Sequence, residues 1–185
     1  PPFFPYKNKL TYSKIEEFNL PEEVCHPAVR EALKLLKMQN LHITYDADLP
    51  AKSGLGTSSS FAVGLLNGLH SLKGEFVDKM TLAKEAIHLE RELCQEAGGI
   101  QDQLAVSFGG LNKYTFNSTG IDVKPLIISK ERKQNLSNNL MLFFTGFTRF
   151  SSEIITEQIK NTEKKLQELH EMVSLVNEGE KILTS

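Results

Sequence analysis

Small and hydroxyl-bearing residues crowd into one short stretch of the sequence, residues 54–60, which reads GLGTSSS. An apolar run at helical spacing follows directly, so a helix is expected to begin there. Ser and Thr hydroxyls commonly cap the free N–H groups at a helix start. The same amides, with the positive end of the helix dipole, also suit a phosphate group. A cap needs one hydroxyl and three serines are present, so capping and the binding of phosphate or Mg²⁺ both stay open.

Glu90 is the second residue with chemical potential, because its helical neighbours are apolar. The residues within about 60° of it around a helix axis are Ala83, Ala86, Ile87, Leu93 and Cys94. A buried carboxylate is costly unless it is paired or binds a cation. An ion pair with a Lys or Arg is one interpretation. A ligand for Mg²⁺, which prefers oxygen donors, is the other.

Asp102 is the third candidate, and it lies in the first turn of a short predicted helix after Gly98 and Gly99. An acidic residue at that place commonly complements the helix dipole. A carboxylate in an open, glycine-lined turn, flanked by Gln101 and Gln103 with their hydrogen-bonding capacity, could equally act as a general base. Arg149 could bind an anion or form a surface ion pair.

The elements that must position these residues follow from periodicity and turn signals. Strands are predicted at residues 8–15, 41–50, 109–116, 122–128 and 139–147. Helices are predicted at residues 27–39, 57–74, 78–99, 100–108 and 152–178. In the second helix we expect Phe61, Leu65, Leu69 and Leu72 to form the apolar face. Ser60, Gly64 and Gly68 form a stripe of small residues that another element could approach closely. In the last helix, an apolar stripe from Ile155 to Val176 is expected to pack on a core.

Composition excludes several classes of protein. The chain has 185 residues, of which 40% are hydrophobic and 24% charged, which is typical of a globular protein. A formal net charge of −2 argues against nucleic acid as a partner. Two cysteines are too few for a disulfide scaffold, and five scattered histidines lack metal-ligand spacing. No run approaches the length of a membrane span, so a cytoplasmic location is expected.

The three candidate sites together resemble one enzyme family. Residues 50–60, PAKSGLGTSSS, are similar to the second motif of the GHMP small-molecule kinases, Pro-x-x-x-Gly-Leu-Gly-Ser-Ser-Ala-Ala. Thr57 replaces a Ser of that motif, and Ser59 and Ser60 replace two alanines. Residues 98–112, GGIQDQLAVSFGGLN, resemble the stretch that holds the family's catalytic aspartate.

The resemblance implies an α/β (α+β) fold with two domains. Residues 1–147 would form most of an N-terminal domain like domain 2 of ribosomal protein S5, lacking its first strands. Residues 148–185 would begin a ferredoxin-like C-terminal domain. The family's first motif would precede Pro1 and its third would follow Ser185, so we expect the chain to be a piece of a larger protein.

The resemblance also implies the site residues. ATP would be bound by Lys52, Ser53, Gly54, Leu55, Gly56, Thr57, Ser58 and Ser59. Mg²⁺ would be held by Ser58 and Glu90, and Asp102 would be catalytic. The sugar would contact Gly99, Gln101, Asp102 and Arg149, with Arg149 on its phosphate.

The flanking segments are similar to the family branch that phosphorylates the anomeric oxygen of D-glycero-D-manno-heptose 7-phosphate. The expected partners are therefore ATP and a sugar phosphate, and neither nucleic acid nor a membrane is expected to bind. The protein could also form a homo-oligomer. Two alternatives stay open. One is a family member that acts on fucose or galactose, and the other is a non-catalytic binding or assembly protein.

Overall fold

A computed structural model describes residues 8–48, 54–143 and 160–185 of the chain. The described residues up to Phe108 form one compact unit, and those from Gly109 onward form a second. The predicted division into family domains, residues 1–147 and 148–185, concerns a different boundary and stays a prediction.

The first unit contains a small sheet built on a hairpin. Strands β1 (Asn8–Thr11) and β2 (Ile15–Phe18) are antiparallel. Strand β3 (His42–Thr44) pairs with β1 in parallel, so the order is β2-β1-β3. The parallel pairing requires a crossover connection, which is supplied by the chain between β2 and β3. Leu10, in the central strand, is fully buried and starts the core.

Helix α1 (Pro27–Leu36) lies in that crossover and matches its predicted position. Pro27 occupies the first helical turn, where its missing N–H costs nothing. Lys37 ends the helix in the left-handed conformation, at φ 52°. The apolar side chains of α1 are buried on one face: Val29, Ala32, Leu33 and Leu36.

Helix α2 (Thr57–Lys73) begins at the serine-rich stretch and is ended by Gly74 at φ 75°. Its buried apolar residues are Ala62, Val63, Leu66 and Leu69. The predicted apolar face is thus wrong in part, because Leu72 is 69% exposed and Phe61 and Leu65 are only half-buried. This flank runs beside β3 instead and lines a cavity of about 770 Å³.

The predicted small-residue stripe of α2 lines the same cavity and does not form a close contact with another helix. A Cβ atom added at Gly64 or Gly68 would meet no atom within 4 Å. Ser60, Gly64 and Gly68 are all lining residues. No described element of the first unit makes the close approach that the sequence suggested.

Helix α3 (Lys79–His88) starts at Asp78, whose carboxylate accepts hydrogen bonds from the amides of Met80 and Thr81 at 2.9 and 3.1 Å. A wider π-helical turn, Leu89–Leu93, continues it. The predicted helix over residues 78–99 therefore ends several residues early. Helix α4 (Gln101–Phe108) follows as predicted, and α2, α3 and α4 pack against one another.

The second unit consists of a hairpin and helices. Strands β4 (Asn112–Asn117) and β5 (Gly120–Pro125) are antiparallel. Helix α5 (Lys130–Asn138) follows them. Helix α6 (Leu166–Thr184) comes after a 3₁₀ turn at Thr162–Lys165. Glu180 on α6 accepts hydrogen bonds from Lys113 at 2.7 Å and Lys124 at 2.5 Å. None of the described residues of this unit is buried.

Two predictions for the second half of the chain are corrected. The strand predicted at residues 139–147 is absent from the described residues 139–143, which have no regular structure, and the rest lies outside the described ranges. The apolar stripe of the last helix exists, but Val173 and Val176 are 60% and 54% exposed rather than packed on a core. Within the described ranges, we find no helix with the length and hydropathy needed to cross a bilayer.

Candidate active site

The serine-rich loop uses its hydroxyls for a purpose other than capping. Gly54 and Gly56 adopt positive φ angles of 76° and 70°, which glycine tolerates best. Gly56 is the cap residue of α2, and among the described residues no side chain caps the first amides of the helix. The capping interpretation is therefore wrong for these hydroxyls. The uncapped amides and the positive end of the dipole stay available to an anion.

Two of the serine hydroxyls are hydrogen-bonded to Glu90. The Ser58 hydroxyl donates to Oε1 of Glu90, and the Ser59 hydroxyl donates to Oε2, each at 2.8 Å. The amide of Gln103 on α4 donates to Oε2 as well, at 2.5 Å. Glu90 is only 4% exposed, as its apolar neighbours predicted. Three neutral donors from two other helices thus satisfy one buried carboxylate.

The π turn brings Glu90 to this place. The amide of Cys94 bonds to the carbonyl of Leu89, and the amide of Glu96 bonds to that of Glu90, both at 2.9 Å. Such turns are rare in helices and are frequent at functional sites.

The ion-pair interpretation of Glu90 finds no support in the residues that the structure describes. None of their Lys or Arg side chains forms a salt bridge with Glu90. Burial and the negative charge of Glu90 together raise the pKa of Glu96. The described hydrogen-bond partners of the buried Glu90 are all neutral, so a cation would offset its charge.

A divalent cation fits the donor set around Glu90. The described residues contain no cluster of three or more His, Cys, Asp or Glu side chains that could hold a metal by themselves. Mg²⁺ does not need such a cluster, because it usually takes one or two carboxylates together with phosphate oxygens. Glu90 and the exposed Ser58 supply oxygen donors of that kind at the start of α2.

Asp102 lies close to the loop at Gly56. It is half-buried in the first turn of α4, as predicted. A Cβ atom added at Gly56 would lie 3.4 Å from Cγ and Oδ2 of Asp102. The missing side chain at Gly56 therefore lets this carboxylate approach the loop backbone. Its place near a helix start keeps the dipole interpretation open beside that of a general base.

The remaining predicted site residues are distributed unevenly. Gln101 folds over Gly99, where an added Cβ would lie 1.9 Å from its side-chain oxygen. Leu55 is 45% exposed at the loop, and with Thr57 it also borders the cavity beside β3. The predicted residues Lys52, Ser53 and Arg149 lie outside the described ranges.

Gln103 was expected only to add hydrogen-bonding capacity beside Asp102, and its contact with Glu90 was not predicted. It follows Asp102 in α4 and is 4% exposed, with its amide on Glu90. A signal was available, because a long polar side chain at an inward-facing helix position needs a buried partner. The spacing between Gln103 and Glu90 gives no hint that they meet, since a glycine break separates their helices.

Comparison with known proteins is consistent with this geometry. Residues 19–110 match the family model described as the GHMP kinases N terminal domain. D-glycero-alpha-D-manno-heptose 7-phosphate kinase from Campylobacter jejuni is 31% identical over 170 residues, which cover 89% of this chain and 49% of that protein. The bifunctional fucokinase/GDP-fucose pyrophosphorylase of Arabidopsis thaliana is 27% identical over 145 residues, covering 74% of this chain and 14% of that protein.

A solved structure shares the fold. The crystal structure of a D-glycero-D-manno-heptose 1-phosphate kinase from Bacteroides thetaiotaomicron superposes with a TM-score of 0.64 at 22% identity, over 71% of this chain and 48% of that one. The chain spans about half the length of the heptose kinase relative. The predicted GHMP-type fold is confirmed, and the chain belongs to the GHMP kinase family.

Proposed function

We propose that this protein is an ATP-dependent kinase that phosphorylates the anomeric hydroxyl of a sugar phosphate. The observation that carries the proposal is the meeting of Ser58, Glu90 and Asp102 around the start of α2 in a chain of the GHMP kinase family. The proposed acceptor is D-glycero-D-manno-heptose 7-phosphate, which would give the 1,7-bisphosphate for nucleotide-heptose and surface polysaccharide synthesis. The identity of 31% with the heptose kinase of Campylobacter jejuni supports this choice.

The start of α2 is proposed to hold the phosphates of ATP. None of the described side chains caps its first amides, and Gly54 and Gly56 have no side chains that could cover the loop backbone. Amides at a helix start bind phosphate oxygens well, because their hydrogens point away from the helix. In phosphoryl transfer, positioning and charge neutralisation supply most of the rate enhancement.

Ser58 and Glu90 are proposed to hold Mg²⁺ beside those phosphates. When bound, Mg²⁺ would neutralise part of the charge on the phosphate oxygens. Glu90 is ready for this role because its carboxylate is already buried and oriented by three donors. A preorganised ligand does not have to be reoriented when the cation arrives.

Asp102 is proposed to accept the proton of the anomeric hydroxyl. The sugar oxygen forms a bond to the γ-phosphorus, the bond from that phosphorus to the bridging oxygen of ADP breaks, and the proton passes to the carboxylate. Gly99 and Gln101 precede Asp102 and are proposed to contact the sugar, while Arg149 would bind its 7-phosphate. Lys52 and Ser53 would extend the nucleotide contacts. An enzyme that uses these two substrates is expected in the cytoplasm.

A second candidate is a kinase for unphosphorylated fucose or galactose, which the identity of 27% with the Arabidopsis fucokinase favours. The two candidates differ in whether the acceptor already carries a phosphate. Steady-state release of ADP by the full-length protein, with heptose 7-phosphate, fucose and galactose compared at equal concentration, separates them. We expect the highest kcat/KM with heptose 7-phosphate. A higher kcat/KM with either free sugar would contradict heptose 7-phosphate as the acceptor. No release of ADP with any of the three sugars would favour a binding protein.

A further inference from the structure

The two oxygens of the Glu90 carboxylate are held in different ways. Oε2 accepts hydrogen bonds from Ser59 at 2.8 Å and from Gln103 at 2.5 Å. Both donors belong to buried residues, 6% and 4% exposed. Within the part of the chain that the structure describes, Oε1 accepts from Ser58 alone, and Ser58 is exposed. One oxygen is thus held by two buried donors, and the other is held by a donor at the surface.

This asymmetry determines which oxygen can bind a cation. A carboxylate oxygen has two lone pairs, so the two donors at Oε2 occupy it fully. Oε1 keeps one lone pair free among the described contacts. The Ser58 hydroxyl can also rotate and turn its own lone pair outward, because its side chain is at the surface. Exchange of ligands at Oε1 then leaves both buried hydrogen bonds intact.

Gln103 contributes the part of this arrangement that comes from a separate helix. The terminal torsion of a Glu side chain is broad, so its orientation depends on the donors that hold it. Ser58 and Ser59 both donate from α2, and the Gln103 amide adds a second donor to Oε2 from α4, the helix that also carries Asp102. The orientation of this amide is dictated by Glu90, because a reversed amide would put two oxygens against each other. The carbonyl oxygen of Gln103 is consequently buried without a hydrogen-bond partner.

We propose that Gln103 is a positioning residue for cation binding: it fixes Oε2 of Glu90 so that Oε1 is offered to Mg²⁺, and it ties this oxygen to the helix that carries Asp102. The proposal rests on the proposed kinase function. The alternative is that Gln103 only satisfies a buried carboxylate and stabilises the fold.

The test compares Mn²⁺ binding by the full-length protein and its variants. Mn²⁺ is titrated in the presence of ADP and followed by electron paramagnetic resonance, and the melting temperature is measured without metal. Gln103→Met keeps the length of the side chain and removes the amide. Gln134→Met is the matched control, because its amide donates at 2.9 Å to Asn138 on the exposed helix α5. Gln103→Asn, which keeps an amide but withdraws it from Glu90, replaces the Met variant if that one does not fold.

We expect Gln103→Met to weaken Mn²⁺ binding by about 10- to 100-fold, the range typical of residues that orient a metal ligand. ADP binding without metal should stay unchanged, as should Mn²⁺ binding by Gln134→Met. Wild-type Mn²⁺ affinity in Gln103→Met, with only a lower melting temperature, would overturn the positioning role and leave the kinase proposal intact. Absence of Mn²⁺ binding by the wild-type protein with ADP would overturn both.

Discussion

A single carboxylate, Glu90, connects the elements of the site at the scale of residues. Its buried oxygens are satisfied by Ser58 and Ser59 from α2 and by Gln103 from α4, so one negative charge organises side chains from separate helices. Hydrogen bonds to a charged acceptor are about twice as strong as those between neutral groups. The orientation of the Glu90 carboxylate is therefore well defined by its hydrogen bonds.

Glu90→Gln separates the role in metal binding from the role in stability. The variant's amide oxygen can replace Oε2 and keep the bonds from Ser59 and Gln103, while its amide nitrogen faces the Ser58 hydroxyl, which can rotate to accept. The network then stays satisfied without the charge, and we expect the free energy of unfolding to fall by no more than about 2 kcal/mol. The apparent affinity for Mg²⁺ in turnover should fall by more than the roughly 10- to 100-fold typical of outer-shell partners.

Glu92→Gln is the control for that experiment, because Glu92 is exposed and bonds to His88 on the surface. It should change neither the Mg²⁺ requirement nor the melting temperature appreciably. A Glu90→Gln variant that turns over normally but melts at a much lower temperature would mean that Glu90 has a structural role only.

Asp102→Asn tests the proposed proton acceptor. The amide cannot take the proton of the sugar hydroxyl, so kcat should fall by about 10²- to 10⁴-fold, the usual contribution of general base catalysis. The affinity for ATP should hardly change. Loss of the charge near the start of α4 should cost only about 0.3–1 kcal/mol of stability. Near-normal kcat together with a large loss of stability would instead make Asp102 a helix-start residue.

At the scale of elements, the end of α2 and the body of α3 are joined by a buried histidine. His70 is 6% exposed and lies between Glu75, at 2.9 Å, and Glu85 on α3, at 2.7 Å. Lys73 also pairs with Glu75, at 2.9 Å. Burial by itself lowers the pKa of His70, but the hydrogen bonds and charges of Glu75 and Glu85 outweigh burial and raise it.

A raised pKa in the folded state means that the imidazolium stabilises the fold. This contribution is complete below the pKa of an unfolded histidine, about 6.5, and is lost as the pH rises through the raised folded value. We expect His70→Gln, which keeps the size and removes the charge, to cost more unfolding free energy at pH 6 than at pH 9. Urea denaturation of both proteins at the two pH values measures the difference. His88→Gln, in an exposed pair with Glu92, should show much less pH dependence. An equal cost of His70→Gln at both pH values would contradict a charged His70.

The elements that local signals specify could be predicted from the sequence. Pro27 at a helix start and Gly74 at a helix end act within a few residues, and the structure places both as predicted. Of the two caps that the sequence offered for the next helix, Asp78 and Thr81, the structure uses Asp78. The early end of α3 could not be predicted, because a π turn violates the regular helical period that the analysis of spacing assumes. The buried face of α2 was missed in part because two apolar stripes run along it, and packing against α3 and α4 selects one of them.

The site, like the fold, could be predicted only where local signals specify it. The burial of Glu90 follows from its apolar neighbours on the helix, and the helical start at Asp102 follows from the glycines before it. The partners of Glu90 do not follow, since Ser59 and Gln103 are 31 and 13 residues away in sequence. Such contacts depend on how the helices pack, and no local pattern records that.

At the scale of the whole molecule, the two units are stabilised in different ways. The first buries a continuous apolar core around Leu10, Leu33 and Leu66. In the described part of the second, polar contacts join α6 to the hairpin, and the lysines around Glu180 lower the pKa of that carboxyl to about 2. Apolar side chains of α6 stay more than half exposed, among them Met172 and Val173. The candidate site belongs to the first unit, which holds Ser58, Glu90 and Asp102.

Phosphorus-31 NMR of the reaction mixture tests the central claim most directly. The full-length protein is incubated with ATP, Mg²⁺ and D-glycero-D-manno-heptose 7-phosphate, and the phosphorus signals are followed with time. We expect the ATP signals to be replaced by those of ADP and by a new phosphate signal coupled to the anomeric proton of the sugar, with the 7-phosphate signal retained. ATP that stays intact, or a new phosphate on another oxygen, would contradict the account.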